Sequence, residues 1–206
     1  PALAACGHGE AGDSRGRVRP GVRGPRAEGG QARPFREARP VITHVLYRQI
    51  QDATAGTEIP AEVLAGIVEV ESHGNAMAYR PEEGYRWGWD IERGKTFRRL
   101  TPGEASSSEP PDDFPGGVNE WLGQRASYGL CQVMGATARE AGFSGDFREL
   151  YRPRVNLDMA VRHLRQLYAR HDGNLFDAIA SYHAGDPRST RAVTYAHRVL
   201  ALAMHY

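Results

Sequence analysis

In the stretch Ile-Pro-Ala-Glu-Val-Leu-Ala-Gly-Ile-Val-Glu-Val-Glu-Ser, residues 59–72, Leu64, Ile67 and Val68 recur at i, i+3 and i+4. That is the spacing of one face of an α-helix. The next place on the face, i+7, is Glu71 rather than an apolar residue. At about 100° per residue its carboxyl stands almost above Leu64, while Glu62 and Glu69 fall on the other side. A carboxyl on a core-facing stripe is costly to ionise, so its pKa rises. A carboxyl that keeps its proton near neutral pH can act as a general acid. A structural glutamate paired with an arginine at a helix end meets the same spacing.

No other chemistry is as well placed. Glu82, Glu83 and Asp90 have no spacing that ties them to Glu71. No His-Glu-x-x-His or similar ligand cluster occurs, so no metal or other cofactor is expected, and the scattered histidines read as surface or packed neutral side chains. Cys6 and Cys131 match no zinc or redox spacing and read as free thiols.

The 206 residues, 40% hydrophobic, suit one domain with a tail. A net charge of +1 gives no case for nucleic acid or an acidic partner. Residues 1–40 hold eight Arg, no Lys and four acids, whereas the other 166 residues carry 18 basic and 21 acidic groups. No run approaches the ~20 apolar residues of a transmembrane segment.

The elements that must position Glu71 follow from the pattern. Residues 1–40, dominated by Gly, Arg and Pro, read as a disordered or linker arm, and residues 41–206 as the domain. The chain opens on Pro rather than Met, which implies sequence upstream. Leu3-Ala4-Ala5-Cys6 has the form of a lipoprotein cleavage box without the apolar run that should precede it, and no signal peptide is visible. A first helix is predicted from Pro40, with Ile42, Val45, Leu46 and Ile50 on one face. Pro60 opens the helix of Glu71, and His73-Gly74-Asn75 closes it.

Residues 76–126 have no clean period and read as a long irregular loop insertion holding Trp87, Trp89 and Trp121. The aromatics suit either the wall of a groove or a local mini-core. A short helix through Thr137 and Ala138 is predicted next, then one from Asn156, as N-cap, to about His171. A helix capped by Asn174 turns Leu175, Ala178, Ile179 and Tyr182 inward. The last helix follows Ser189, with Val193, His197, Leu200 and Met204 on one face. No alternating run of useful length appears, so the fold class is mainly α.

Several pieces occur together in a known order. They are Glu71-Ser72 with Gly74-Asn75, Tyr128-Gly129-Leu130-Cys131-Gln132-Val133-Met134 with Thr137-Ala138, Asn156-Leu157, Ser181-Tyr182-His183-Ala184-Gly185, and Tyr195. This order resembles the lytic transglycosylase domain of the soluble type, over about residues 58–200. Gly-Asn after Glu-Ser, with a Tyr-Arg pair soon after, is similar to bacteriophage-type members. The resemblance implies a lysozyme-like helical domain that cleaves peptidoglycan glycan strands, in the periplasm or cell wall or on a phage particle. It makes Glu71 the catalytic acid and base. It implies that the segment from Ser127 through Gln132 to Met134 lines the glycan groove, with Gln132 bonding sugar and Met134 beside the carboxyl. It brings Tyr182 and His183 to the reacting sugar and Tyr195 close to Glu71, and the tryptophans of 76–126 would then stack sugar rings.

The sequence departs from the family at three places. His183 stands for Asn, Cys131 for Met, and Arg80 at the offset where members often carry Ser. A charged His183 beside Glu71 would favour the ionised carboxyl and weaken activity on the acid side. With one well-placed carboxyl, the resemblance implies ring closure by the sugar's own 6-hydroxyl to a 1,6-anhydromuramyl product. A hydrolase on the same bond, with an acid from residues 82–90 orienting water, and a non-catalytic glycan-binding or structural domain are the alternatives.

Overall fold

A computed structural model describes residues 42–206. The arm over residues 1–40, the Leu3–Cys6 box and the helix start at Pro40 lie outside the described residues. In chain order the elements begin with α1 (His44–Thr54), α2 (Ala61–Ser72), β1 (Tyr79–Pro81), β2 (Trp89–Asp90) and β3 (Lys95–Thr96). Next come α3 (Pro102–Ala105), α4 (Gly117–Gln124), β4 (Ala126–Tyr128), β5 (Val133–Met134) and α5 (Gly135–Glu140). A 3-10 turn (Phe147–Tyr151) leads into α6 (Pro153–Arg170), α7 (Leu175–Ala184) and α8 (Thr190–Ala203). Among the described residues no helix is long and apolar enough to cross a membrane.

The mainly helical class holds, but short strands are present. β1, β4 and β5 form an antiparallel sheet in the order β1-β4-β5, and β2 pairs with β3. Strands of two or three residues are too short to display an alternating pattern.

α1 starts at Thr43, whose hydroxyl accepts a hydrogen bond from the Leu46 amide at 3.2 Å. Its inward line is Ile42, Leu46, Ile50 and Thr54, four residues apart, so Val45 falls to the side and is 70% exposed. α2 buries Leu64, Ile67 and Val68 completely, each worth roughly 1.5–3 kcal/mol of burial. It ends at His73, which itself takes the left-handed conformation with φ 52°. Gly66 faces α8, and a Cβ there would meet the Val199 carbonyl oxygen at 2.5 Å. The missing side chain lets the two backbones close up.

The inward face of α8 is Ala192, Tyr195, Ala196, Val199 and Ala203, not the expected line of Val193, His197, Leu200 and Met204, and Met204 is largely exposed. α6 begins at Pro153, and Asn156 lies inside the helix, fully buried, rather than at its N-cap. Pro at the first position is preorganised for helix, which moves the start upstream of Asn156. α7 is capped by Asn174 as the sequence predicts, its side-chain oxygen accepting from the Asp177 amide at 3.1 Å.

Residues 76–126 are not wholly irregular. They carry short elements around a second small core of Phe97, Leu100, Ala105, Phe114 and Trp121. Trp121 sits in that core, its indole donating to the Ser107 carbonyl at 3.2 Å and the Arg125 guanidinium 4.3 Å above its ring. It is therefore not a groove residue, whereas Trp87 and Trp89 stay half-buried. The buried face of α4 includes Glu120 and Gln124, which hides its helical period. Glu120 is paired with Arg139 of α5 at 2.8 Å. Gln124 accepts from the Trp89 amide at 2.7 Å and donates to the Trp89 carbonyl at 2.8 Å.

Candidate active site

The turn after β4, residues 129–132, is the hub that gathers the site. Ser72, at the end of α2, donates from its hydroxyl to the Leu130 carbonyl at 2.7 Å. Tyr182 of α7 donates to the Cys131 carbonyl at 2.8 Å. Asn156 of α6 holds the turn from the core side. Its side-chain oxygen accepts from the Cys131 amide at 2.8 Å, and its amide donates to the carbonyls of Tyr128 at 2.8 Å and Leu150 at 3.0 Å. Gly129 takes φ 68°, and a Cβ there would meet the Asn156 side chain and the Leu150 carbonyl oxygen at 2.6 Å. Three helices are thus fastened to one turn by hydrogen bonds, those of Asn156 buried and those of Ser72 and Tyr182 partly buried.

Glu71 stands on the last full turn of α2, partly exposed. Burial pushes its carboxyl above the ordinary glutamate value. The Tyr195 hydroxyl opposes this most, then the positive charge of Arg80; Glu82 pushes the pKa up and Arg198 draws it down. Tyr195 is 6% exposed, and its hydroxyl has no partner of normal hydrogen-bond geometry among the described residues. It still lies near enough for the two groups to act on one another's protonation. The Glu71 charge also raises the pKa of Tyr182 and of the buried Cys131 thiol, after burial itself. The tertiary structure therefore brings Glu71, Tyr182 and Tyr195 together around the 129–132 turn.

His183 is exposed, and its ring lies on that of Tyr195. The covered part of the ring pushes its pKa below the ordinary value, Arg191 and Arg80 push the same way, and Glu82 opposes them. A lowered pKa keeps His183 neutral further into acid, so the expected pull of a charged His183 on Glu71 moves to lower pH.

Gln132 adopts φ 46°, uncommon for a residue with a side chain. Its amide nitrogen donates to the Gly129 carbonyl at 3.0 Å and its oxygen accepts from the Ser127 hydroxyl at 2.9 Å. One amide hydrogen and one lone pair remain open for a ligand. Ser127, expected to line the groove, is 1% exposed. Its hydroxyl is committed to Gln132, so it does not line a groove directly. Met134 is half-buried and lies opposite Ser127, which in turn lies opposite Arg80, so the three share one face of the sheet.

The carboxylates grouped together in the sequence separate here. Asp90 is 2% exposed and accepts from the amides of Glu92 and Arg93 and from the Arg93 guanidinium. It is consumed by its own turn. Glu82 is the one whose charge reaches Glu71, and Arg80 donates to it at 2.5 Å. Sequence reasoning also missed the holding role of Asn156. The signal was present, because Asn156 precedes Ala160 and Leu164 at four-residue steps on the buried stripe of α6.

A family model described as the transglycosylase SLT domain matches residues 48–201, from within α1 to within α8. No curated protein and no solved structure matches the chain. The matched span takes in each helix that is fastened to the 129–132 turn, and with it the partly buried carboxyl of Glu71. The chain belongs to the transglycosylase SLT domain family, lysozyme-like lytic transglycosylases that act on peptidoglycan.

Proposed function

We propose that Glu71 alone serves as acid and then base in cleaving the β-1,4 bond between N-acetylmuramic acid and N-acetylglucosamine. The observation that carries this reading is a partly buried carboxyl whose pKa is raised by desolvation, beside the Tyr195 hydroxyl, which has no other partner among the described residues. Glu71 gives its proton to the glycosidic oxygen as the bond to the anomeric carbon breaks. The muramyl N-acetyl oxygen assists at that carbon. The carboxylate then takes the proton of the muramyl 6-hydroxyl, whose oxygen closes the 1,6-anhydro ring. The proton is back on Glu71 and no water is consumed.

Arg80 and Arg198 act on Glu71 in the direction that favours its ionised form, which suits the second half of the cycle. The open amide hydrogen of Gln132 and the exposed ring of His183 are the groups we assign to the sugar. Glu71→Gln keeps the shape and removes the proton, so cleavage of purified cell wall should fall by roughly 10²–10⁴-fold with the fold intact. Residual activity above about a tenth of wild type, read by mass spectrometry of released muropeptides, would remove Glu71 from the mechanism.

A second reading rests on Glu82. Its charge reaches Glu71, so it could orient a water across from the acid, and the products would then carry reducing ends. The same spectra separate the two, because an anhydro end lacks the mass of one water.

A further inference from the structure

Tyr79 and Arg80 are neighbours on β1, so their side chains leave the sheet on opposite faces. The charge of Arg80 reaches Glu71; Tyr79 therefore belongs to the reverse face. It is 53% exposed there. Its ring is 5.5 Å from that of Tyr128, which is 5.7 Å from that of Tyr151. These three rings, with Asn119, Asp146 and Arg148, wall a cavity of about 540 Å³. The size is within the range that holds small ligands.

The charges around this cavity cancel in pairs. Arg148 donates to Asp146 at 2.8 Å, and Arg139 to Glu120 at 2.8 Å. Among the described residues, both cations that line it, Arg139 and Arg148, are already paired with a carboxylate. On the other side of Tyr79 and Leu122 lies a second depression of about 320 Å³, edged by Ser106, Ser107 and Ser108. Glu82 and Glu83 outnumber Arg125 around it, which disfavours an anionic ligand. Two depressions that share one exposed aromatic wall suit a chain of rings rather than a single ring. The apolar face of a pyranose packs on a phenol ring, and its hydroxyl and acetamido groups meet amide and hydroxyl side chains.

We infer that this trough, whose Tyr79–Tyr128–Tyr151 end lies on the reverse face of the sheet from Glu71 and whose other end reaches Glu82, is a second saccharide site that holds a neutral β-1,4-linked N-acetylhexosamine strand. The inference rests on the proposed polymer substrate. The trough anchors the chain to insoluble wall while a separate strand is cut at Glu71.

The test uses purified insoluble peptidoglycan and the full chain. In the Glu71→Gln background, which binds without cutting, Tyr79→Ala and Asn119→Ala should each weaken cosedimentation with the wall by roughly 3- to 10-fold. Both positions are exposed, and equal melting temperatures check the fold of each variant. In the active chain the same changes should slow cleavage of insoluble wall and leave the rate on a soluble tetrasaccharide muropeptide unchanged. Unchanged cosedimentation of both variants would overturn the second site. An equal loss on insoluble and soluble substrates would also overturn it, by placing Tyr79 in the catalytic groove. Failure of the wild type to release either anhydro or reducing ends would instead count against the proposed reaction, whatever the binding result.

Discussion

The ring of His183 lies flat on that of Tyr195, with centroids 4.5 Å apart and planes 7° from parallel. The stack joins α7 to α8 beside the carboxyl of α2. It fixes the plane of the tyrosine whose buried hydroxyl acts on Glu71, and it leaves the other face of the imidazole open.

Removing the Tyr195 hydroxyl should shift the activity profile in a known direction. The hydroxyl draws the Glu71 pKa down against the rise caused by burial. Tyr195→Phe therefore raises that pKa further. The acid form of Glu71 is lost as pH rises through its pKa, so the alkaline limb of the pH–rate profile should move to higher pH. Stability should change little, because the hydroxyl makes no hydrogen bond of normal geometry among the described residues. An alkaline limb that moves downward would contradict the assigned sign.

His183→Asn separates charge from packing. The folded-state pKa of His183 lies below its ordinary value near ~6.5, so the neutral form predominates at that pH and grows as pH rises to neutrality and above. The mutant and wild-type profiles should superimpose at neutral pH and above. They should part only at lower pH, where protonated His183 favours ionised Glu71 and the mutant keeps more of its activity. Loss of the stack should lower stability by about 0.5–1.5 kcal/mol, measured by thermal melting. Divergence of the profiles at neutral pH would show that His183 acts on the reaction by some route other than its charge.

Asn156→Ala should be among the most damaging single changes in the domain. It leaves the Cys131 amide and the Tyr128 and Leu150 carbonyls without their partner. Each buried unsatisfied group costs about 1–3 kcal/mol, so the loss should be at least ~3 kcal/mol in denaturant unfolding. A loss below about 1 kcal/mol would mean that the 129–132 turn is not held by this side chain.

Gly66→Ala sets two effects against each other. Alanine in place of glycine favours helix by about 1 kcal/mol. The added Cβ would lie 2.5 Å from the Val199 carbonyl oxygen, and overpacking of this kind costs about 1–3 kcal/mol. The clash is with backbone, which cannot swing away, so it should win. The melting temperature should fall, and activity should fall with it because α8 carries Tyr195 toward Glu71. A rise in melting temperature would show that the two helices can separate without penalty.

What the sequence determined about this protein is what neighbours along the chain decide among themselves. Leu64, Ile67, Val68 and Glu71 share one helical period, so the carboxyl above a buried stripe was legible without coordinates. The Asn174 cap and the short helix after Met134 are local in the same way, and the ordered motifs from Glu71 to Tyr195 carry the family. Other features depend on residues far apart in the chain. The inward face of α8 is built on Ala192, Ala196 and Ala203, whose small side chains add little apolar signal, and Gly66 on another helix is what lets the backbone of Val199 come so close. The period of α4 is hidden because Glu120 and Gln124 are buried against Arg139 and the Trp89 backbone. Asn156 is a natural cap by residue type, yet Pro153 starts the helix earlier and the 129–132 turn claims the buried amide. Glu82 and Asp90 look alike as carboxylates; only the packing spends Asp90 in its own turn and brings the charge of Glu82 to Glu71. Periodicity reports which way a side chain faces, whereas partners across the fold are chosen by tertiary packing, because buried polar groups must find donors and acceptors wherever the chain brings them.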